Sequence, residues 1–203
     1  MNIVLVVKEN RFLRSIYDRL SSIAQIFPYD LVQEGLFDDG PLDLNAPLDN
    51  CVTAFLGPSD MKTISASPEV SHSENELLDR LAADCLCLGI KHNGEIVAYS
   101  WCNLRRLSYG MLNFPLKENE AYLFDARTFE AYRGYRLAPY LRYELYKHLA
   151  GLGRKRLFSC TSLLNTSAVK FKKRLQAKPI KVYLYFNFLD KYRFHIPLKN
   201  YKN

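Results

Sequence analysis

The chain of 203 residues has no apolar run approaching the roughly eighteen residues that a membrane-spanning helix requires. It shows no internal repeat and no low-complexity tract, which excludes solenoids and compositionally biased architectures. The opening stretch MNIVLVVKENRF has a short apolar run, with no basic residue before it and no small-residue cleavage site after it. It is expected to form a first strand and not a leader, and the protein to be cytoplasmic. No Ser-His-Asp order, P-loop or HExxH motif is present, so nothing supports a hydrolase, an NTPase or a metalloprotease.

Cysteine is sparse. Cys51, Cys85, Cys87, Cys102 and Cys160 are odd in number and lack framework spacing, which argues against a disulfide scaffold. Cys85 and Cys87 lie in the apolar run LCLGI, where strand geometry puts both on one face as core thiols. A zinc site would need a second Cys/His pair nearby and none exists, so no metal is expected. Acids almost vanish from the C-terminal quarter. From Arg154 onward thirteen Lys/Arg face one acid, Asp190, so this segment carries +12 and the rest −5 of a total +7. Such asymmetry suits either a solvated basic face or an anionic partner: cofactor phosphates, an acidic carrier protein, nucleic acid or a membrane surface.

What is present fits an ordinary globular chain, with 48% apolar and 24% charged residues and a high count of aromatics, 14 Tyr and 12 Phe. A domain of this length buries about 70% of its unfolded surface and needs no metal or disulfide to hold a core. Arg11–Ile26 carries apolar residues near helical spacing and is expected to be a helix. The stretch 38–50, DDGPLDLNAPLDN, is a loop and a candidate boundary. It separates an N-terminal strand-helix-loop extension, 1–50, packed on a main domain, 51–203.

Within the main domain, Cys51–Leu56 reads as a strand, and Ser73 with Glu76 has capping-box spacing for a helix. Cys85–His92 and Glu95–Leu107 read as strands joined by Asn93-Gly94, a type I′ hairpin signal. Ala121–Thr128 is a further strand. The stripe Leu137, Leu141, Leu145, Leu149 then marks a helix that Gly151 and Gly153 end. A strand at Leu157–Leu163, a helix at Asn165–Leu175 and strands at Ile180–Phe188 and Tyr192–Ile196 complete the order. Hairpins mixed with crossovers predict an α/β fold with a mixed, mostly antiparallel central sheet and flanking helices.

The informative segment is Phe124–Tyr140, FDARTFEAYRGYRLAPY. A strand enters a turn containing Arg133-Gly134, and a long helix leaves it. Such a junction presents free backbone N–H groups and the positive end of a helix dipole, which suit a phosphate. Gly134 allows close backbone approach, and Arg133 and Arg136 add positive charge.

This run resembles the cofactor motif of the GNAT acyltransferases, R-G-x-G-x-G/A, matched here by Arg133, Gly134, Tyr135, Arg136, Leu137 and Ala138. The middle Gly is Arg136, a departure. Asn165-Thr166-Ser167-Ala168 is similar to the family's N-x-x-A/S helix start, and Asn93-Gly94 with Ile96-Val97-Ala98-Tyr99 is similar to its hairpin. The resemblance runs from about Val52 to Phe188. It implies the GNAT fold and direct transfer of an acyl group from acetyl-CoA or another acyl-CoA to an amine. It also implies a thioester carbonyl held near Asp125–Arg127, with backbone of Ala126, Arg127 and Thr128 along the pantetheine arm. Arg133, Gly134, Tyr135, Arg136, Leu137, Ala138 and Asn165 are the remaining expected cofactor contacts.

The family's usual acid, a Tyr seven residues after the Asn, is Lys172 in this chain. Asp125, a carboxylate in an apolar strand beside the expected thioester, is a candidate base, or the partner of Arg127 or Arg105. Tyr99 shares a face with Trp101 and is a second candidate, either lining an acceptor pocket or packing in the core. The expected function is N-acyl transfer to a small-molecule amine. A carrier-protein- or tRNA-dependent transferase of the same fold, and a CoA- or partner-binding module without catalysis, stand beside it. No recognised nucleic-acid-binding pattern occurs, so nucleic acid is not the expected partner. The first fifty residues are assigned either to the acceptor pocket or to a homodimer contact.

Overall fold

Near-continuous burial along Cys85–His92 (β3) and Glu95–Asn103 (β4) reflects strands covered on both faces. They meet in a two-residue turn with Asn93 at φ 51° and Gly94 at φ 87°, the double positive φ that the Asn-Gly pair supplies. The structure, a computed structural model, describes residues 24–36, 49–189 and 191–201. The strand expected at 2–7 and most of the loop at 38–50 lie outside these residues.

The other elements are β1 (Ala24–Glu34), β2 (Cys51–Phe55), α1 (Pro58–Ser65), α2 (Glu74–Ala82), β5 (Arg106–Tyr109), β6 (Leu112–Pro115) and β7 (Glu120–Thr128). A one-turn 3-10 helix (Glu130–Tyr132), α3 (Leu137–Gly151), β8 (Arg156–Ser162), α4 (Thr166–Arg174), β9 (Lys178–Phe188) and β10 (Tyr192–Asn200) follow. Eight strands form one sheet in the order β10-β9-β1-β8-β7-β4-β3-β2. Its neighbours are antiparallel, except β7 and β8, which run parallel. The mixed, mostly antiparallel sheet expected from the sequence is therefore present.

Two expectations are corrected. The helix at Arg11–Ile26 lies outside the described residues save its last three, and these belong to β1. β1 sits in the interior of the sheet, bonded to β8 along one edge and β9 along the other. Ala24–Ile26 pair with Phe186–Phe188 of β9, so the expected helix does not reach Ile26. Likewise the strand read as Glu95–Leu107 ends at Asn103, whose Oδ1 accepts from the backbone N–H groups of Arg105 and Arg106 and so turns the chain. β5 then pairs with β6 as a separate hairpin through Gly110, at φ 57°.

One face of the sheet is covered by α3, whose Leu137, Leu141, Leu145 and Leu149 pack on Leu88, Ile90, Leu123 and Leu157. The other face carries two clusters. Cys87, Tyr99 and Trp101 pack with Leu56, Met61, Ile64 and Leu77, while Tyr29, Tyr122, Phe158 and Tyr183 pack under Leu107 and Leu112 of the β5–β6 hairpin. Helix α2 starts as its sequence predicts. Ser73 N–H donates to Glu76 Oε2 at 2.7 Å, and Glu76 N–H donates back to Ser73 Oγ at 3.3 Å. Among the described residues, no helix is long and apolar enough to cross a membrane.

Candidate active site

The only parallel pairing among the described residues is short. β7 and β8 are bonded over Glu120–Tyr122 and Arg156–Phe158, and then they separate. On its other edge β7 loses register with β4 between Tyr99 and Trp101, opposite Asp125 and Ala126. Asp125 sits at φ 42°, a left-handed conformation that Asp tolerates better than most residues. The bulge bends β7 away from β8 and leaves backbone groups there outside the ladder. A cavity of about 550 Å³ fills the gap. It is lined by Phe124–Arg127 of β7, Ser159–Ser162 of β8, Ala138 and Arg142 of α3, and Asn165, Phe171 and Lys172 around α4.

A second pocket of about 220 Å³ lies at the start of α3, and both pockets share Ala138, Ser167 and Phe171. No side chain caps α3, so its first-turn N–H groups have no side-chain acceptor. Gly134 is at φ 93° with open space beyond its missing Cβ. Arg136, where the resemblance expects Gly, is at φ 59° and ψ 20°, in the left-handed region. That backbone suits glycine and costs another L-residue about 1–2 kcal/mol. Arg136 keeps the loop's shape while adding a cation to the pocket rim.

Of the residues singled out beforehand, Asp125, Ala126, Arg127, Ala138 and Asn165 line the larger cavity. Thr128, Arg133, Gly134, Arg136, Leu137 and again Ala138 line the smaller one. Tyr135 lines neither and is half exposed. Asn165 caps α4, its Oδ1 accepting from Ala168 N–H at 3.1 Å. Arg133 is already engaged, donating to Glu69 Oε2 at 3.0 Å.

Tyr99 does not line the cavity. It is fully buried against Phe129 in the α1–α2 cluster, and burial pushes its phenol up to about 12. Asp125 is held by neither Arg127 nor Arg105. Its Oδ2 accepts from Arg80 Nη1 at 2.5 Å and lies 3.4 Å from His72 Nε2, while Arg80 stacks over Trp101 and Phe124. Arg80 and His72 were not among the expected residues. Arg80 lies on the α2 face that also bears Leu77 and Leu81, a weak signal available only once the helix is drawn.

Behind the cavity lies a set of buried charges that the sequence did not reveal. Glu34 of β1 is wholly buried. Tyr146 Oη donates to its Oε2 at 2.5 Å, Ser159 Oγ donates to its Oε1, and Arg142 Nε is 3.5 Å from Oε2. Burial alone would raise the Glu34 carboxyl, but Arg142, Lys172 and the two hydroxyl donors outweigh it and hold it below the usual carboxylate range. Asp30, on the same face of β1, lies 3.4 Å from Lys172 Nζ. Burial raises the Asp30 carboxyl and lowers the Lys172 ammonium, and in each case it exceeds the effect of the partner.

Residues 58–176 match the model of the acetyltransferase (GNAT) family, more than half of the chain. The chain belongs to the GNAT acetyltransferase family. No curated protein matches it in sequence. A GNAT-family acetyltransferase of Colwellia psychrerythraea superposes with a TM-score of 0.56 at 18% identity, over 88% of this chain and 61% of that one. A tandem GNAT protein of the clavulanic acid biosynthesis pathway gives 0.60 at 13% identity, over 93% and 59%. The chain thus spans less than two thirds of either protein. The Salmonella typhimurium protein yncA, solved with its cofactor acetyl-CoA, gives 0.50 at 12% identity, over 71% and 96%. At these identities the likeness is one of fold. The GNAT fold and family expected from the Arg133–Ala138 run are both found.

Proposed function

We propose that this GNAT protein transfers an acyl group from an acyl-CoA thioester to an amine of a small molecule, with the thioester in the gap between β7 and β8. The observation that carries this reading is the pair of pockets sharing Ala138, Ser167 and Phe171. One is an anion-suited loop at the uncapped start of α3, and the other is an open sheet edge beside the Asp125 bulge.

The residues present fit such a substrate. The α3 N–H groups, Gly134 and Arg136 suit a pyrophosphate. Backbone N–H at Asp125–Arg127 suits a polarised carbonyl oxygen. Bound there, the thioester supplies an activated acyl carbon, and the chain's task is to orient it, exclude water and handle two protons. Asp125 is the carboxylate among the described residues that line the cavity, and it is the one to accept the amine's proton. Its Oδ2 is engaged by Arg80, which leaves Oδ1 for that task. Cytoplasmic location belongs to this same reading.

The test is thermal unfolding with acetyl-CoA and longer acyl-CoAs, followed by thiol release on a panel of amines. A ligand that binds only the folded state stabilises it by about 2.7 kcal/mol at a hundred times its Kd. Failure of every acyl-CoA to shift a folded sample would remove this reading.

A second reading takes an acyl-carrier protein or an aminoacyl-tRNA as donor. The last turn of α4 carries Lys172, Lys173 and Arg174, and Arg174 lines the smaller pocket. A polyanionic donor predicts a steep loss of binding with salt, where free acyl-CoA predicts a shallow one.

A further inference from the structure

Three strands at one end of the sheet, β1, β9 and β10, are covered unequally. On one face Tyr29, Tyr183 and Tyr185 are buried under the β5–β6 hairpin. The other face presents Asp30 and Glu34 of β1 to Lys172 and Arg142, and it runs on past them with no cover among the described residues. Two rows of side chains cross it, Ile26–Phe186–Phe194 and Pro28–Leu184–Ile196, and Phe188 stands opposite Tyr192 beyond them. The Phe186 and Phe194 rings stack with centroids 4.7 Å apart. Ile26 is 57% exposed, Tyr192 54%, Phe194 48%, Ile196 46% and Phe188 45%.

These five side chains expose roughly 100 Å² each and, with the half-buried Phe186, Leu184 and Pro28 between them, offer about 600 Å². That is the upper end of what a monomer leaves bare, about 600 Å². Doubled, it reaches about 1,200 Å², the area at which specific interfaces begin. The face is also poor in charge. Lys191 in the β9–β10 turn and Lys199 opposite Val182 mark its two ends, while Lys181 and Arg193 alternate to the hairpin side. A lipid surface or an acidic partner calls for cations on the side that meets it. An apolar core depleted of charge is instead the mark of contact between identical subunits. The free edge of β10 is a poor template for a further strand, because Pro197 has no N–H and the register slips between Pro197 and Lys199.

We propose that this face is the contact of a twofold-symmetric dimer, in which a second copy of the chain lays its own β1–β9–β10 face against the first. The same patch serves on both subunits, and the two sheets pack face to face about 10 Å apart. The contact is independent of acyl transfer.

Sedimentation velocity on the full chain tests it. The wild type is expected to be a dimer at micromolar concentration, with a melting temperature that rises with concentration. Phe194→Glu sets a charge at the centre of the face on each copy, and it should give monomers with unchanged far-ultraviolet circular dichroism. Where that variant fails to fold, Phe194→Ala serves, raising the dimer dissociation constant about tenfold or more, as loss of a central aromatic does. Lys181→Ser, on the other face of β9, should leave the dimer intact. A dimer that survives both Phe194 variants would overturn the proposal by placing the contact elsewhere. A wild type that stays monomeric would overturn it too. Binding of that monomer to vesicles of anionic phospholipid would then assign the face to a lipid surface, and a melting temperature lowered by Phe194→Ala would assign it to cover by residues 1–23 of the same chain.

Discussion

Tyr146 Oη donates a 2.5 Å hydrogen bond to Glu34 Oε2 across 112 residues of chain, with both side chains almost wholly out of solvent. The bond ties β1 to α3 beside Leu157 of β8, behind the cavity. With Ser159 and Arg142 on the same carboxylate, it makes β1 a structural part of the site's floor.

Glu34→Ala leaves Arg142 buried without its counter-ion. A loss of about 3–5 kcal/mol is expected from breaking a buried pair by one partner. Urea denaturation measures it. The double variant Glu34→Leu/Arg142→Met should recover a large part of the loss, because no charge is then left stranded.

The pH dependence has a definite sign. Glu34 is held below its unfolded value, so it contributes stability that is fully present above about pH 4.3 and is lost as pH falls through its folded value. Stability measured from pH 6 downward should therefore fall more steeply in wild type than in Glu34→Gln. Parallel curves would contradict the assignment.

Gly134→Val places a β-branched residue at φ 93°. The strain is about 1–3 kcal/mol, and no neighbour lies within 4 Å of the new Cβ to take the blame for a clash. The variant should fold, with a lowered melting temperature, and lose most of the stabilisation that acetyl-CoA gives wild type. Retention of the full ligand shift would show that this loop is not where the cofactor phosphates bind.

Arg80→Ala removes the guanidinium that holds Asp125 Oδ2 and stacks on Trp101 and Phe124. The expected cost is about 1.5–3 kcal/mol, typical of a hydrogen bond to a charged group. With Asp125 as the base, turnover on a responsive amine should also fall, because the carboxylate loses the guanidinium that orients it.

Gly89→Ala tests the packing of β3 alone. Its Cβ would stand 2.6 Å from Leu56 Cδ1 and 2.8 Å from Leu56 Cγ, inside a buried cluster. Overpacking of this kind costs about 1–3 kcal/mol and should leave acetyl-CoA binding unchanged in folded protein. Calorimetry with and without the ligand separates the two effects.

The elements legible in the sequence were those whose signal is local. The Asn93-Gly94 turn needs two positive φ values, the Ser73–Glu76 box satisfies its own helix end, and the leucine stripe of α3 repeats at the helix's own period. From these and the Arg133–Ala138 run the family, the mixed sheet and the turn leading into α3 could be read. The tertiary structure alone decided that β1 enters the sheet between β8 and β9, and that Asp30 meets Lys172 across 142 residues. It also decided that Asp125 is paired with Arg80, and that Tyr99 belongs to the core. Pairings of this kind have no period and no neighbouring residue to announce them. Which carboxylate reaches which cation is set by the register of distant strands, and register follows from the burial of whole faces rather than from any short stretch of chain.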